Sequence, residues 1–112
     1  MATKEETVTF ILDQIKGAGY ISAKKMFGEY AIYCDNKVVA LVCGNMLFVK
    51  PTVSGKTFIG EVDEQPPYPG AKKYFLISGD LWENSEWMSE LIKITQVELP
   101  MPKIKKTQNK KK

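Results

Sequence analysis

Few residues in this chain can carry chemistry, and their spacing limits what they can do. The thiols of Cys34 and Cys43 are its most reactive side chains. They form no CxxC pair, and the chain has no histidine to complete a zinc set. Without histidine the usual general base near neutral pH is also missing, and the serine and threonine hydroxyls have no partner base. Glu61, Asp63 and Glu64 are close enough in sequence to suggest a cation site. Their spacing is not that of a calcium loop, and they read as a solvated surface run. Gly28, Gly44 and Gly55 stand singly at expected turns, so no phosphate-cradling loop is formed. The expectation is a non-enzymatic protein with no cofactor, no metal and no catalytic set.

Charge is placed unevenly. All 16 basic residues are lysines. Lys103, Lys105, Lys106, Lys110, Lys111 and Lys112 crowd the last ten positions, and the remaining ten lysines face 13 acids, a formal charge of −3. A basic tail on an acidic body suggests a non-specific nucleic-acid tether. Six phosphate contacts would give a salt slope no steeper than about −5 on duplex DNA. The chain has no arginine, the side chain that most often reads guanine. No apolar run is long enough to span a membrane, and the first ten residues lack the order of a secretory signal, so a cytoplasmic location is expected.

The scaffold that must position these groups is legible in outline. Thr3 to Lys16 reads as a helix. Thr3 and Glu6 match a capping box, and Val8, Ile11, Leu12 and Ile15 make one apolar face. Tyr20 to Phe27, Tyr30 to Cys34, Lys37 to Cys43, Met46 to Lys50 and Lys73 to Ser78 read as strands. Asp35-Asn36 and Gly44-Asn45 are two-residue turns, since these residue types tolerate positive φ. Residues 53–62 contain a short helix. Gln65 to Gly70 is a rigid connector whose PxxP spacing is structural, and Asn84 or Ser85 caps a last helix that Pro100 and Pro102 end. The fold class is therefore α+β: a two-layer arrangement of about five antiparallel strands packed by N-terminal and C-terminal helices. A domain over 1–101 and a disordered tail over 102–112 are expected.

The two turns set a register. Cys34 should face Lys37, Ile32 face Val39, Cys43 face Met46 and Leu41 face Phe48. One face then carries Tyr30, Ile32, Cys34, Val39, Leu41, Cys43, Met46 and Phe48, and the other Ala31, Tyr33, Val38, Ala40, Val42, Leu47 and Val49. Both are apolar, which calls for helices on both faces, or for helices on one and a protein partner or second subunit on the other. The cysteines lie about 20 Å apart at about 3.3 Å per residue, too far to bond.

Met26-Phe27-Gly28-Glu29-Tyr30, the run Tyr33 to Val42, Leu47-Phe48-Val49-Lys50 and Tyr68-Pro69-Gly70 keep the order and spacing of a known pattern. Over roughly residues 1–99 the chain resembles the N-terminal domain of the TfoX family, regulators of competence genes in bacteria. Glu29, Ala31 and Asn36 stand where that pattern often has glycine, and a lysine tail replaces the regulators' second, helical domain. The resemblance implies an α+β fold and a regulatory, non-enzymatic role, with no catalytic residues to transfer. It draws attention to Met26, Phe27, Gly28 and Tyr30, as an interaction site or as a bend seating the first helix, and to Lys50 as an exposed contact. Two further readings compete with a protein-interaction module. One is the lysine tether, and the other is a small-ligand pocket lined by Tyr30, Phe48, Tyr68, Tyr74, Trp82 and Trp87.

Overall fold

The computed structural model describes residues 3–100. The expected lysine-rich tail lies outside them. In chain order the elements are α1 (Glu5–Ile15), a 3-10 turn (Lys16–Ala18), β1 (Ile21–Met26), β2 (Glu29–Cys34), β3 (Lys37–Cys43), β4 (Met46–Val49), α2 (Val53–Ile59), β5 (Asp63–Gln65), β6 (Tyr74–Ile77), α3 (Gly79–Trp82) and α4 (Ser85–Glu98). The strands form one sheet, ordered β1-β2-β3-β4-β6-β5, with every neighbouring pair antiparallel. This is the expected α+β class. The sixth strand is β5, an all-polar edge built from the acid run, in which no apolar alternation announces a strand. Among the described residues no group of acids, histidines or cysteines is placed to hold a metal ion, and no helix is long and apolar enough to cross a membrane.

Three two-residue turns close the meander, each with both central residues at positive φ: Phe27-Gly28, Asp35-Asn36 and Gly44-Asn45. This is the conformation that matches strand twist in tight hairpins. The last two were expected; the first is sharper than the expected bend. Cys34 faces Lys37, Cys43 faces Met46 and Leu41 faces Phe48 as the turns dictate. Ile32, however, pairs with Ala40 and not Val39, while Tyr33 pairs with Val38. Val39 is thus the extra residue of a β-bulge, and one extra residue moves side-chain alternation to the other face.

The bulge redraws the expected faces. Ile32, Cys34 and Val39 join Val42, Leu47 and Val49 in a single core, with Phe75 and Ile77 beside them. Onto it pack Val8, Ile11 and Ile15 of α1 and Met88, Leu91 and Ile92 of α4, each burial contributing about 1.5–3 kcal/mol. Cys34 lies in this helix-side core, whereas Cys43 lies outside it; both are buried free thiols. Among the described residues no helix packs on the opposite face. The connection from β5 to β6 folds over it and buries Pro67.

Helix ends are satisfied from a distance. The expected capping box does not form, because Thr3 is buried and spends its hydroxyl elsewhere. That hydroxyl donates to Glu29 Oε1 at 2.6 Å, with the Val42 carbonyl at 3.1 Å, and accepts from the Asn45 amide. Lys4 takes the N-cap position, and its amide donates to Asn45 Oδ1 at 2.8 Å, as does the Thr7 hydroxyl at 3.1 Å. Asn84 caps α4 as expected. The Lys37 ammonium donates to the Gln96 and Leu99 carbonyls at the end of α4, a cation suited to the negative pole. The Glu98 carboxylate accepts from the amides of Val53 and Ser54, which tethers α4 to the start of α2 and lowers the acid's pKa.

Asn45→Gly keeps the turn's φ but removes the tether to α1, so it should cost about 1 kcal/mol in urea unfolding. A neutral result would mean that water replaces the side chain fully. For Glu98 the folded pKa lies below the ordinary 4.5. Its contribution is therefore complete above that value and lost as pH falls through the lowered folded pKa. The stability advantage of wild type over Glu98→Gln should be flat near neutrality and vanish in acid, as read by unfolding curves at a series of pH values.

Candidate functional site

The turn joining β1 to β2 breaks a rule that its two sister turns obey. Positive φ belongs to glycine, asparagine and aspartate, and Asp35-Asn36 and Gly44-Asn45 comply. Phe27 sits at φ 51° with its ring fully exposed. A left-handed conformation costs a residue with a Cβ about 1–2 kcal/mol, and the ring recovers none of it by packing. The turn does seat the N-terminus, through the Gly28 carbonyl accepting from the Thr3 amide and through Glu29. That role uses Gly28 and Glu29 and leaves the Phe27 ring idle.

Beside the ring lies a cleft of 420 Å³. Met26 and Phe27 form one wall, at the tip of the β1–β2 hairpin. Leu41 and Cys43 of β3, with Glu29 and Tyr30 of β2, line its base. Pro67 and Tyr68 of the β5–β6 connection form the other wall. The sequence pattern places these groups together through the paired turns, which bring Met26 against Glu29 and Cys43 against Met46 at one end of the sheet. Tyr68 and Met46 are exposed near the same end.

The chemistry of the lining is that of contact and not of proton transfer. Glu29 is the one charged residue in it, and its Oε1 is engaged by the Thr3 hydroxyl and by the Gly44 amide at 3.0 Å. Burial, and then the neighbouring Glu29 carboxylate, push the Cys43 thiol up, which keeps it protonated near neutrality and a poor nucleophile. Tyr74 is also shifted up, by burial and then by Tyr68 and Cys43. The cleft's size falls within the range of small-molecule and side-chain pockets, and its walls are aromatic, aliphatic and sulfur-bearing.

Of the residues singled out in the sequence, Met26, Phe27 and Tyr30 meet at this cleft, with Gly28 in the turn beside it. Lys50 does not. It follows Val49, which pairs with Ala40, and so lies toward the other end of the sheet from Met26 and Glu29. The six-aromatic pocket is not assembled either. Tyr68 reaches the cleft, and Tyr30 lines it while also packing against the helix-side core; Trp82 and Trp87 pack on that core alone, where Trp87 meets Phe58 with ring centroids 5.5 Å apart. Lys103, Lys105, Lys106, Lys110, Lys111 and Lys112 lie outside the described residues. Sequence reading placed Leu41 and Cys43 on one apolar face without marking them as a floor, named Tyr68 only as one of six pocket aromatics, and missed Pro67 as part of a wall.

A family model, that of the TfoX N-terminal domain, matches residues 13–97. The chain belongs to the TfoX N-terminal domain family. The match covers the sheet, the cleft and nearly all of α4, while the Thr3–Lys4 tether precedes it. A protein of Spirochaeta aurantia named "Uncharacterized 12.7 kDa protein in trpE 5′ region" is 37% identical over 110 residues, covering 98% of this chain and 95% of its own length.

Phe27→Gly should raise the unfolding free energy by about 0.5–1 kcal/mol at low protein concentration, since glycine adopts positive φ without strain. Denaturation with an unchanged m-value would establish it. A clear loss of stability would instead show that the ring supports the fold.

Proposed function

We propose that this chain is a small non-enzymatic protein-interaction module that acts in regulation in the cytoplasm and docks through the cleft between the Phe27 tip and the Tyr68 loop. One observation carries the reading: a fully exposed phenylalanine at positive φ stands on the rim of an apolar cleft. Local strain and an exposed aromatic are each unfavourable in the isolated chain, and such exceptions concentrate where a surface is used. The lining supports the same view. Its single carboxylate is committed to Thr3 and Gly44 and its thiol is held protonated, so what the cleft offers is apolar contact area. Aromatic and methionine side chains are the usual anchors of protein interfaces. The family's association with regulators of competence genes fits a module that works by binding.

A photoreactive benzophenone analogue of phenylalanine placed at position 27 of the full-length chain tests this in cells. Irradiation should crosslink position 27 to protein, whether another chain or a second copy, and should not do so from the exposed control position Val97 on α4. No crosslink from position 27, or the same products from both positions, would defeat the proposal.

A further inference from the structure

We infer that the occupant of the cleft is a second copy of this chain, docked about a two-fold axis so that each Phe27 ring enters the partner's cleft. The inference rests on the interaction reading above and names the partner. A two-fold interface is self-complementary: what one protomer offers, it must also receive. This surface meets that condition with side chains already in place. Phe27 supplies a knob with no packing of its own, and the 420 Å³ cleft supplies a hole with room for a phenyl ring. Knob and hole share one rim, so an axis passing beside that rim exchanges both rings at once.

Two further observations point the same way. The large apolar side chains exposed among the described residues number eight, and Met26, Phe27, Met46 and Tyr68 gather at this end of the sheet. Charge is also complementary. Lys24, exposed and on the same face of β1 as Met26, is carried beside the knob, while the only charge lining the hole is Glu29, whose Oε1 is engaged by Thr3 and Gly44. The exchange brings Lys24 of each hairpin toward the charge of the partner's Glu29. Of the possible occupants, a second copy is the one whose complementary group is itself present in the structure. A tip and cleft bury less than the about 800 Å² per partner of a standard interface, so the dimer should be reversible, with a dissociation constant of about 1–50 µM.

Sedimentation velocity of the full-length chain from about 1 to about 200 µM should show a monomer–dimer equilibrium in that range. Phe27→Gly, which removes both rings from the two-fold dimer and relieves the turn, should weaken it about 30-fold for each ring, the scale of a lost hot-spot aromatic, or about 900-fold in all. Leu41→Trp fills the hole, with Cys43→Met as the alternative should the first not fold by circular dichroism. Each variant alone should be monomeric, while an equimolar mixture of the knobless and hole-filled variants should associate more tightly than either variant alone, through the one surviving contact and about 30-fold more weakly than wild type. Wild type that is monomeric throughout, a dimer indifferent to Phe27→Gly, or a mixture no more associated than its two components at about 200 µM and above would each overturn the inference. A monomeric wild type whose position 27 still crosslinks to a different protein sinks the second copy alone and leaves the interaction module standing. Absence of both dimer and crosslink sinks the two together.

Discussion

Two adjacent turns, Phe27-Gly28 and Gly44-Asn45, hold this structure's layers in relation to one another. Each reverses the chain in two residues with both at positive φ, so the strand ends they create lie level at one end of the sheet. The helix layer is anchored there. The Gly28 carbonyl, the Glu29 carboxylate and the Asn45 side chain together satisfy the backbone and hydroxyl groups of Thr3, Lys4 and Thr7. The cleft is framed there too, because the same geometry sets Met26 and Phe27 beside Cys43. A change in either turn would disturb the seat of α1 and the mouth of the cleft at once. Local backbone conformation is therefore the constraint from which both faces of the sheet follow.

The fold was legible where a residue type has one conformational meaning. Asp35-Asn36 and Gly44-Asn45 announced tight turns, and the i, i+3, i+4, i+7 pattern of Val8, Ile11, Leu12 and Ile15 announced a buried helix face. Reading failed where the outcome depends on a distant partner. Thr3 and Glu6 have capping-box spacing, yet Thr3 is better served by Glu29, 26 positions away, and Asn45 does the capping instead. The bulge at Val39 left no sequence signal, since Val38, Val39 and Ala40 are all apolar and each fits either face. Its consequence was large: it put the two cysteines on different sides of the sheet. Strand β5 escaped notice because three exposed polar residues on an edge need no apolar alternation.

The site was half legible. Met26, Phe27 and Tyr30 stood out through a family pattern, and they do meet. On the far wall Tyr68 belonged to the same pattern but Pro67 did not stand out, and neither could be placed opposite Met26, because they belong to a connector whose path over the sheet is set by tertiary packing. The doubly apolar strands did signal that both faces needed cover. One face receives α1 and α4, and the other receives a loop that folds across part of it, burying Pro67 and leaving a cleft where cover is incomplete.

That incompleteness gives the strained turn its meaning. Three turns of the same kind occur in succession, and two use residues suited to positive φ. At the third, glycine in place of Phe27 would relieve about 0.5–1 kcal/mol net of its own unfolded-state entropy. Burying an exposed phenylalanine ring returns about 1.5–3 kcal/mol, enough to offset the strain, but only if the ring is covered by something outside the folded chain. The free energy available from the ring exceeds the cost of holding it at the tip, and in the proposed dimer it is realised on association and not on folding. A residue that weakens the isolated domain and strengthens a complex separates those two steps, which is the property a reversible contact requires.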